Sequence, residues 1–286
     1  MPALIPITFN LYAPECFNAG NMRPCLMLLL CVFLLKRSFA QADSVRTGIV
    51  IIGTVHSGNN EFGHKELFNE LETQRPDIIL SEQSTPFNKV FGLRTASFLR
   101  LMKPDIEQMA IQKYTNRYRN CVVLPFDTTI SERPKYKRDL QVKSRAVIEA
   151  LLKANLAAED SIGFANYIVK TNSYYELLLN KSLKGINEKN LINRSRELYA
   201  LENDTVRQLV IKYCADASLQ KWYLDDQIFW EQRNNYMVTQ IRKIASEYRG
   251  KKIVVLAGLN HKYFLLDGLS RYKDSFLTLI SFPEEP

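Results

Sequence analysis

Only three histidines occur in the 286 residues, His56, His64 and His261. Two of them stand in the same local setting. Ile49-Val50-Ile51-Ile52 leads into Gly53-Thr54-Val55-His56, and Ile253-Val254-Val255-Leu256-Ala257 leads into Gly258-Leu259-Asn260-His261. Each is a short β-branched run that stops at Gly-x-x-His. Both imidazoles therefore belong at the carboxyl ends of buried strands, the edge where open α/β sheets build their sites. The glycine is expected to let the backbone turn tightly there. A third run, Ile78-Ile79-Leu80-Ser81, delivers Glu82 in the same way, and a fourth, Cys121-Val122-Val123-Leu124, ends near Asp127. Neighbouring strands lie about 4.8 Å apart, so side chains from adjacent strand ends can converge on one ion or one water. Two imidazoles and a carboxylate suit Zn, Mn, Fe or Co better than Ca or Mg. With one position left open, such a set activates a bound water.

Arg233 lies in Phe229-Trp230-Glu231-Gln232-Arg233-Asn234-Asn235-Tyr236. A guanidinium in that aromatic setting can hold a carboxylate or phosphate in bidentate fashion, or stabilise an oxyanion. The plainer alternative is a helix-face salt bridge with Asp226 or near Glu231. His64 falls inside an expected helix and reads as a surface or packing residue. The chain has no phosphate-cradling P-loop, no Gly-x-Ser-x-Gly elbow and no dinucleotide fingerprint.

The elements that must position these groups alternate in the first half. The spacing of Leu67, Phe68 and Leu71 predicts a helix over 61–74, ended by Arg75-Pro76. A strand over 77–82, a helical region over 87–117 and a strand from Cys121 follow. This alternation predicts an α/β fold with a mostly parallel sheet flanked by helices. From 131 to 250 no strand is expected. Apolar residues at helical spacing, such as Val147, Ile148, Leu151 and Leu152, predict a large all-helical insertion. Breaks are expected near Gly163, Gly185-Ile186-Asn187 and Ala215-Asp216, and a last long helix over 222–248. The α/β pattern resumes with the strand at 253–257, a helix opened by His261 and a final strand over 276–280. Residues 43–286 are thus expected to form one α/β domain carrying the insertion.

Residues 1–42 read as a signal or leader segment. Cys25 to Leu35 is an apolar run of signal-peptide length, preceded by Arg23 and followed by Ser38-Phe39-Ala40 and Ala40-Gln41-Ala42. Met22 is an alternative start. Cleavage would remove Arg23, Lys36 and Arg37 with Glu15, lowering the net charge from +8 to +6. That charge favours solubility and gives no case for nucleic acid. Export to the periplasm or outside the cell follows, with no stable membrane span after cleavage and a peptide or small molecule as the expected partner. Of five cysteines only Cys121 and Cys214 lie beyond the leader. They make one disulfide conceivable and exclude a Cys-x-x-Cys metal site, and Cys121 reads as a buried free thiol.

Gly53-Thr54-Val55-His56, the strand-ending Glu82, Arg233-Asn234 and Gly258-Leu259-Asn260-His261 occur in the order of the TraB/GumN and Tiki proteins. The chain resembles that family, within a wider grouping that includes the ChaN haem-binding proteins and the erythromycin esterases. The second motif departs from the Gly-x-Gly-His of many GumN-like members. The resemblance implies a metal-dependent hydrolase acting on a peptide or ester bond. In it His56, His261 and Glu82 would gather a divalent transition ion (Mn, Co, Fe or Zn), with Glu82 and Arg233 catalytic and Arg233 polarising the carbonyl or its oxyanion. Two alternatives come with it. One is a haem or metal carrier without turnover, for which Tyr167, Tyr174, Tyr175 and Tyr199 are candidate iron ligands. The other is a metal-free esterase with His56 or His261 as general base, oriented by Glu82.

Overall fold

In a computed structural model of the chain, the described residues are 46–56, 58–82, 105–127 and 133–283, with the side chains of 133–139 and 141 left out. The expected leader and the first part of the helical region before Ile106 lie outside them. The described elements run β1 (Thr47–Thr54), α1 (His64–Gln74), β2 (Ile78–Ser81), α2 (Ile106–Arg117) and β3 (Val122–Pro125). There follow α3 (Arg133–Lys153), α4 (Ala158–Leu179), the short turn α5 (Leu183–Ile186) and α6 (Lys189–Leu201). A π-helical segment (Glu202–Val206) leads into α7 (Arg207–Tyr213) and α8 (Ala217–Glu247). The chain closes with β4 (Lys252–Gly258), α9 (Leu259–Arg271) and β5 (Leu277–Ile280).

The strands pair in the order β3-β2-β4-β1-β5, and every pairing is parallel. All five carboxyl ends therefore share one edge, and β4 inserts between β1 and β2. That insertion puts the ends of the two Gly-x-x-His strands side by side, with Glu82 following the next strand. The sheet is covered on both faces, as a parallel sheet must be. Val50, Ile52, Ile79, Val254 and Leu256 pack with α1 and α2, and with Tyr174, Leu178, Leu183 and Ile186 from the helical segment. Ile49, Ile51, Ile78, Val255 and Ala257 face the other way, against Met237, Val238, Ile241 and Ile244 of α8 and Leu265 and Leu269 of α9. The alternation follows from the two-residue period of a strand.

The helical insertion is real, but its C-terminal end belongs to the sheet. Val147, Leu151, Phe164, Val206, Leu209, Val210 and Tyr223 form a core of their own. The second half of α8 instead covers the sheet, so the insertion is anchored through its longest helix. Asp216 caps α8, accepting hydrogen bonds from the backbone N–H groups of Ser218 and Leu219. Gly163 does not break a helix as expected; it lies inside α4, and the break falls just before Ala158. Cys121 and Cys214 are both free thiols. No helix of the described residues is long and apolar enough to cross a membrane.

Candidate functional site

The two Gly-x-x-His motifs are built differently despite their common spelling. In the β1–β4 register Thr54, not Gly53, lies opposite Gly258. His56 stands in the loop after β1, whereas Leu259, Asn260 and His261 form the first turn of α9. Neither motif glycine has a positive φ; Gly58, two residues past the first motif, does, at 71°. The expected tight-turn role at Gly53 is thus replaced by close packing. A Cβ on Gly53 would come within 2.7 Å of Leu259 Cδ1 and 3.1 Å of Asn187 Oδ1. The left-handed turn is made by Gly58, whose N–H donates to Val55 O at 2.7 Å.

Gly258 marks the meeting point of the predicted residues. A Cβ placed there would lie 3.4 Å from both His56 Nε2 and Glu82 Oε1, and 3.6 Å from His261 Cδ2. Three side chains from three adjacent strand ends therefore border one small volume. They sit in a cavity of about 630 Å³, walled by Trp230 and Arg233 of α8 and by Tyr175 and Leu179 of α4. The loop between β1 and α1 is stitched to that wall. Asn59 Nδ2 donates to Leu178 O at 2.6 Å and to Lys181 O at 2.7 Å.

Each imidazole is oriented through Nδ1. His56 Nδ1 lies 2.9 Å from Glu107 Oε1, in the first turn of α2, where a helix favours an acid. Thr54 Oγ1 donates to the same oxygen, and the Ile106 N–H donates to His56 O at 3.3 Å. His261 Nδ1 lies 2.7 Å from Asn234 Oδ1, and Asn234 Nδ2 donates to Trp230 O at 2.8 Å. The Trp230 ring stacks on the His261 ring, centroids 4.2 Å apart and 22° from parallel. The hydrogen bond to Glu107 raises His56 to about 9, against burial and with help from the charges of Glu107, Glu82 and Asp105. Half of the His56 side chain, 54%, is exposed, so water screens that pairing. His261 is pushed the other way: burial lowers it to about 4 despite nearby Glu82. The pairing thus biases His56 toward its protonated form and burial biases His261 toward its neutral one, so an ion at His56 Nε2 would have to displace a proton.

Glu82 accepts from the Gly258 N–H at 2.5 Å through Oε1 and from Arg233 Nη2 at 3.0 Å through Oε2. Burial alone would raise its pKa. The surrounding imidazoles, Arg233 and the Gly258 N–H reverse that and hold it below the usual carboxylate range. Arg233 also grips Asp127, Nε to Oδ1 at 3.0 Å and Nη2 to Oδ2 at 2.7 Å. The alternative of a helix-face salt bridge with Asp226 or near Glu231 gives way to this buried pairing with two strand-end carboxylates. The structure brings together His56, Glu82, Arg233 and His261, and Asp127 joins behind Arg233. His64 opens α1 outside the cavity. Glu107, Asn234 and Trp230 were not singled out as site residues from the sequence. Glu107 gives no sequence signal beyond an acid near a helix start, whereas Asn234 and Trp230 flank Arg233.

For a divalent ion the donor set is suitable. Two imidazoles with Nδ1 already engaged leave Nε2 for a ligand, and each has the outer partner that metal-binding histidines commonly have. Against this, among the described residues no group of three or more His, Cys, Asp or Glu side chains is already arranged to hold a metal. The hydrogen bonds of Glu82 to Gly258 and Arg233 account for part of that, because its oxygens are turned to those donors. The candidate haem tyrosines Tyr167, Tyr174, Tyr175 and Tyr199 surround a second cavity of about 310 Å³ in the helical segment. No protein-family model, no curated protein and no solved structure matches this chain.

Proposed function

We propose that the chain is a metal-dependent hydrolase of the TraB/GumN–Tiki type, exported through residues 1–42 and acting on a peptide or ester bond. The observation that carries this reading is the convergence of His56 Nε2, Glu82 Oε1 and His261 beside Gly258. A divalent transition ion, when bound, supplies a water of lowered pKa and polarises the substrate carbonyl. His56 and His261 would hold it through Nε2, with Glu107 and Asn234 fixing the rings. Glu82 stays ionised and can accept the proton of the attacking water. Arg233, with Nε and Nη2 engaged by Asp127 and Glu82, first orients Glu82; as a cavity-lining cation it also stabilises negative charge on the carbonyl oxygen. The test is hydrolysis of a panel of capped peptides and aryl esters before and after chelation. Activity lost to chelator and restored by Mn, Fe, Co or Zn supports the reading; no hydrolysis in any ion-loaded sample contradicts it.

One observation favours a second reading, a metal-free esterase. The His56 and His261 environments push their pKa values apart, to about 9 and about 4. Such a split is how paired groups divide into acid and base. His56 would then donate a proton to the leaving group while His261 Nε2 accepts one from water. Hydrolysis insensitive to chelator separates this reading from the first.

A further inference from the structure

The second cavity, bordered by α3, α4, α6, the π-helical segment, α8 and α9, has the chemistry of a receptor. It is lined by Glu202 and Asp226, by Gln227, and by the aromatic rings of Tyr174, Tyr199 and Trp230. Asp226 Oδ1 and Gln227 Oε1 are buried and have no hydrogen-bond partner among the described residues. Gln227 is 9% exposed, and its Nε2 donates to Glu202 Oε1 at 3.2 Å, which turns its oxygen to the acceptor role. Two buried acceptors without donors carry a desolvation cost that a ligand's N–H groups would relieve. Burial lifts Asp226 to about 6. In a chain of net charge +8, no lysine or arginine is among the described residues that line this cavity. Glu202 opens the π-helical segment, a distortion often found at functional sites.

We propose that this cavity binds an organic cation, a primary ammonium or guanidinium group. The N–H groups would pair with Asp226 and Gln227 while the aromatic faces attract the charge. Trp230, Tyr175 and Asn260 line both this cavity and the one holding the histidines. These three residues are a wall that the two cavities share. The binding itself rests on the second cavity alone and requires no turnover at the histidine pair.

Calorimetric titration of the purified chain tests it, using butylammonium and butylguanidinium chlorides, 1-pentanol as a neutral match, and a capped Gly-Lys-Gly tripeptide. The cations should bind at least about tenfold tighter than pentanol, and Asp226→Asn should lose about tenfold or more of that affinity. Glu202→Gln provides the same comparison if Asp226→Asn does not fold. Tight binding of the tripeptide assigns the cation to a peptide side chain, and binding of the free amines alone assigns it to a small amine; either supports the proposal. The His56→Ala/His261→Ala variant should keep the binding, so failure here and failure of the hydrolase reading are separate results. Equal affinity for cations and pentanol, or undiminished affinity in both carboxylate variants, overturns the proposal.

Discussion

Asn234 decides which nitrogen of His261 carries its proton. Its Nδ2 donates to Trp230 O, so its Oδ1 must face His261 Nδ1, which therefore holds the hydrogen. The lone pair is left on Nε2. Asn234→Ala should leave the fold intact but lower metal affinity and hydrolysis by about 10- to 100-fold, the usual cost of losing such a partner. Asn234→Asp should retain far more, because a carboxylate accepts the same bond. Parallel metal titrations check this, and an Ala variant equal to the parent contradicts it.

Arg233 is 12% exposed in its side chain, with Asp127 at 0% and Glu82 at 5%. Arg233→Ala would strand two buried carboxylates and should cost about 3–5 kcal/mol of stability. Urea denaturation measures it. A loss below about 1 kcal/mol, the range of exposed pairs, would show that the triad is not buried in solution.

The two motif glycines should separate stability from function. Gly53→Ala drives a Cβ to 2.7 Å from Leu259 Cδ1 and 3.3 Å from Leu259 Cα, and should cost about 1–3 kcal/mol. Gly258→Ala meets only ordinary contacts of 3.4 Å or more, yet fills the volume the three side chains share. It should melt near the parent temperature and lose ion binding and hydrolysis. Thermal melts beside activity assays check the pair; the reverse pattern contradicts the placement.

Lys262, 1% exposed, donates through Nζ to Asn187 Oδ1 at 2.7 Å and to Phe282 O at 2.8 Å. Asn187 in turn holds the Gly53 N–H at 2.7 Å and donates to Gly53 O at 2.8 Å, tying the helical segment to the first motif. Burial lowers Lys262 from 10.5 to about 7. Between those values the unfolded chain binds more protons than the folded one, so this residue makes stability rise with pH from about 7 to 10.5. Below about 7 the cost of a buried charge is fully present. Melting temperatures of the parent minus those of Lys262→Met should climb across that window; a flat difference contradicts the assignment.

Much of this was legible because strands announce themselves locally. Ile49 to Ile52, Ile78 to Leu80 and Ile253 to Leu256 are continuous apolar runs, which only a sheet covered on both faces requires. His56, Glu82 and His261 could be placed at one edge because parallel strands end together. The strand order was not legible: nothing local to Lys252–Gly258 says that β4 inserts between β1 and β2. Glu107 was missed for the same reason. Its contact with His56 spans 51 residues and depends on where α2 docks, not on any periodicity. The role of Gly53 was misread because Gly-x-x-His suggests a turn, whereas the glycine answers to Leu259, far along the chain.

The most direct test of the proposed site is elemental analysis of the purified chain, prepared without a metal-binding tag, beside its His56→Ala/His261→Ala variant. Near-stoichiometric Mn, Fe, Co or Zn in the parent and none in the variant is the expected result. No bound metal in either protein, even after incubation with each ion, would contradict the metal-dependent reading and leave the chemistry to the two histidines alone.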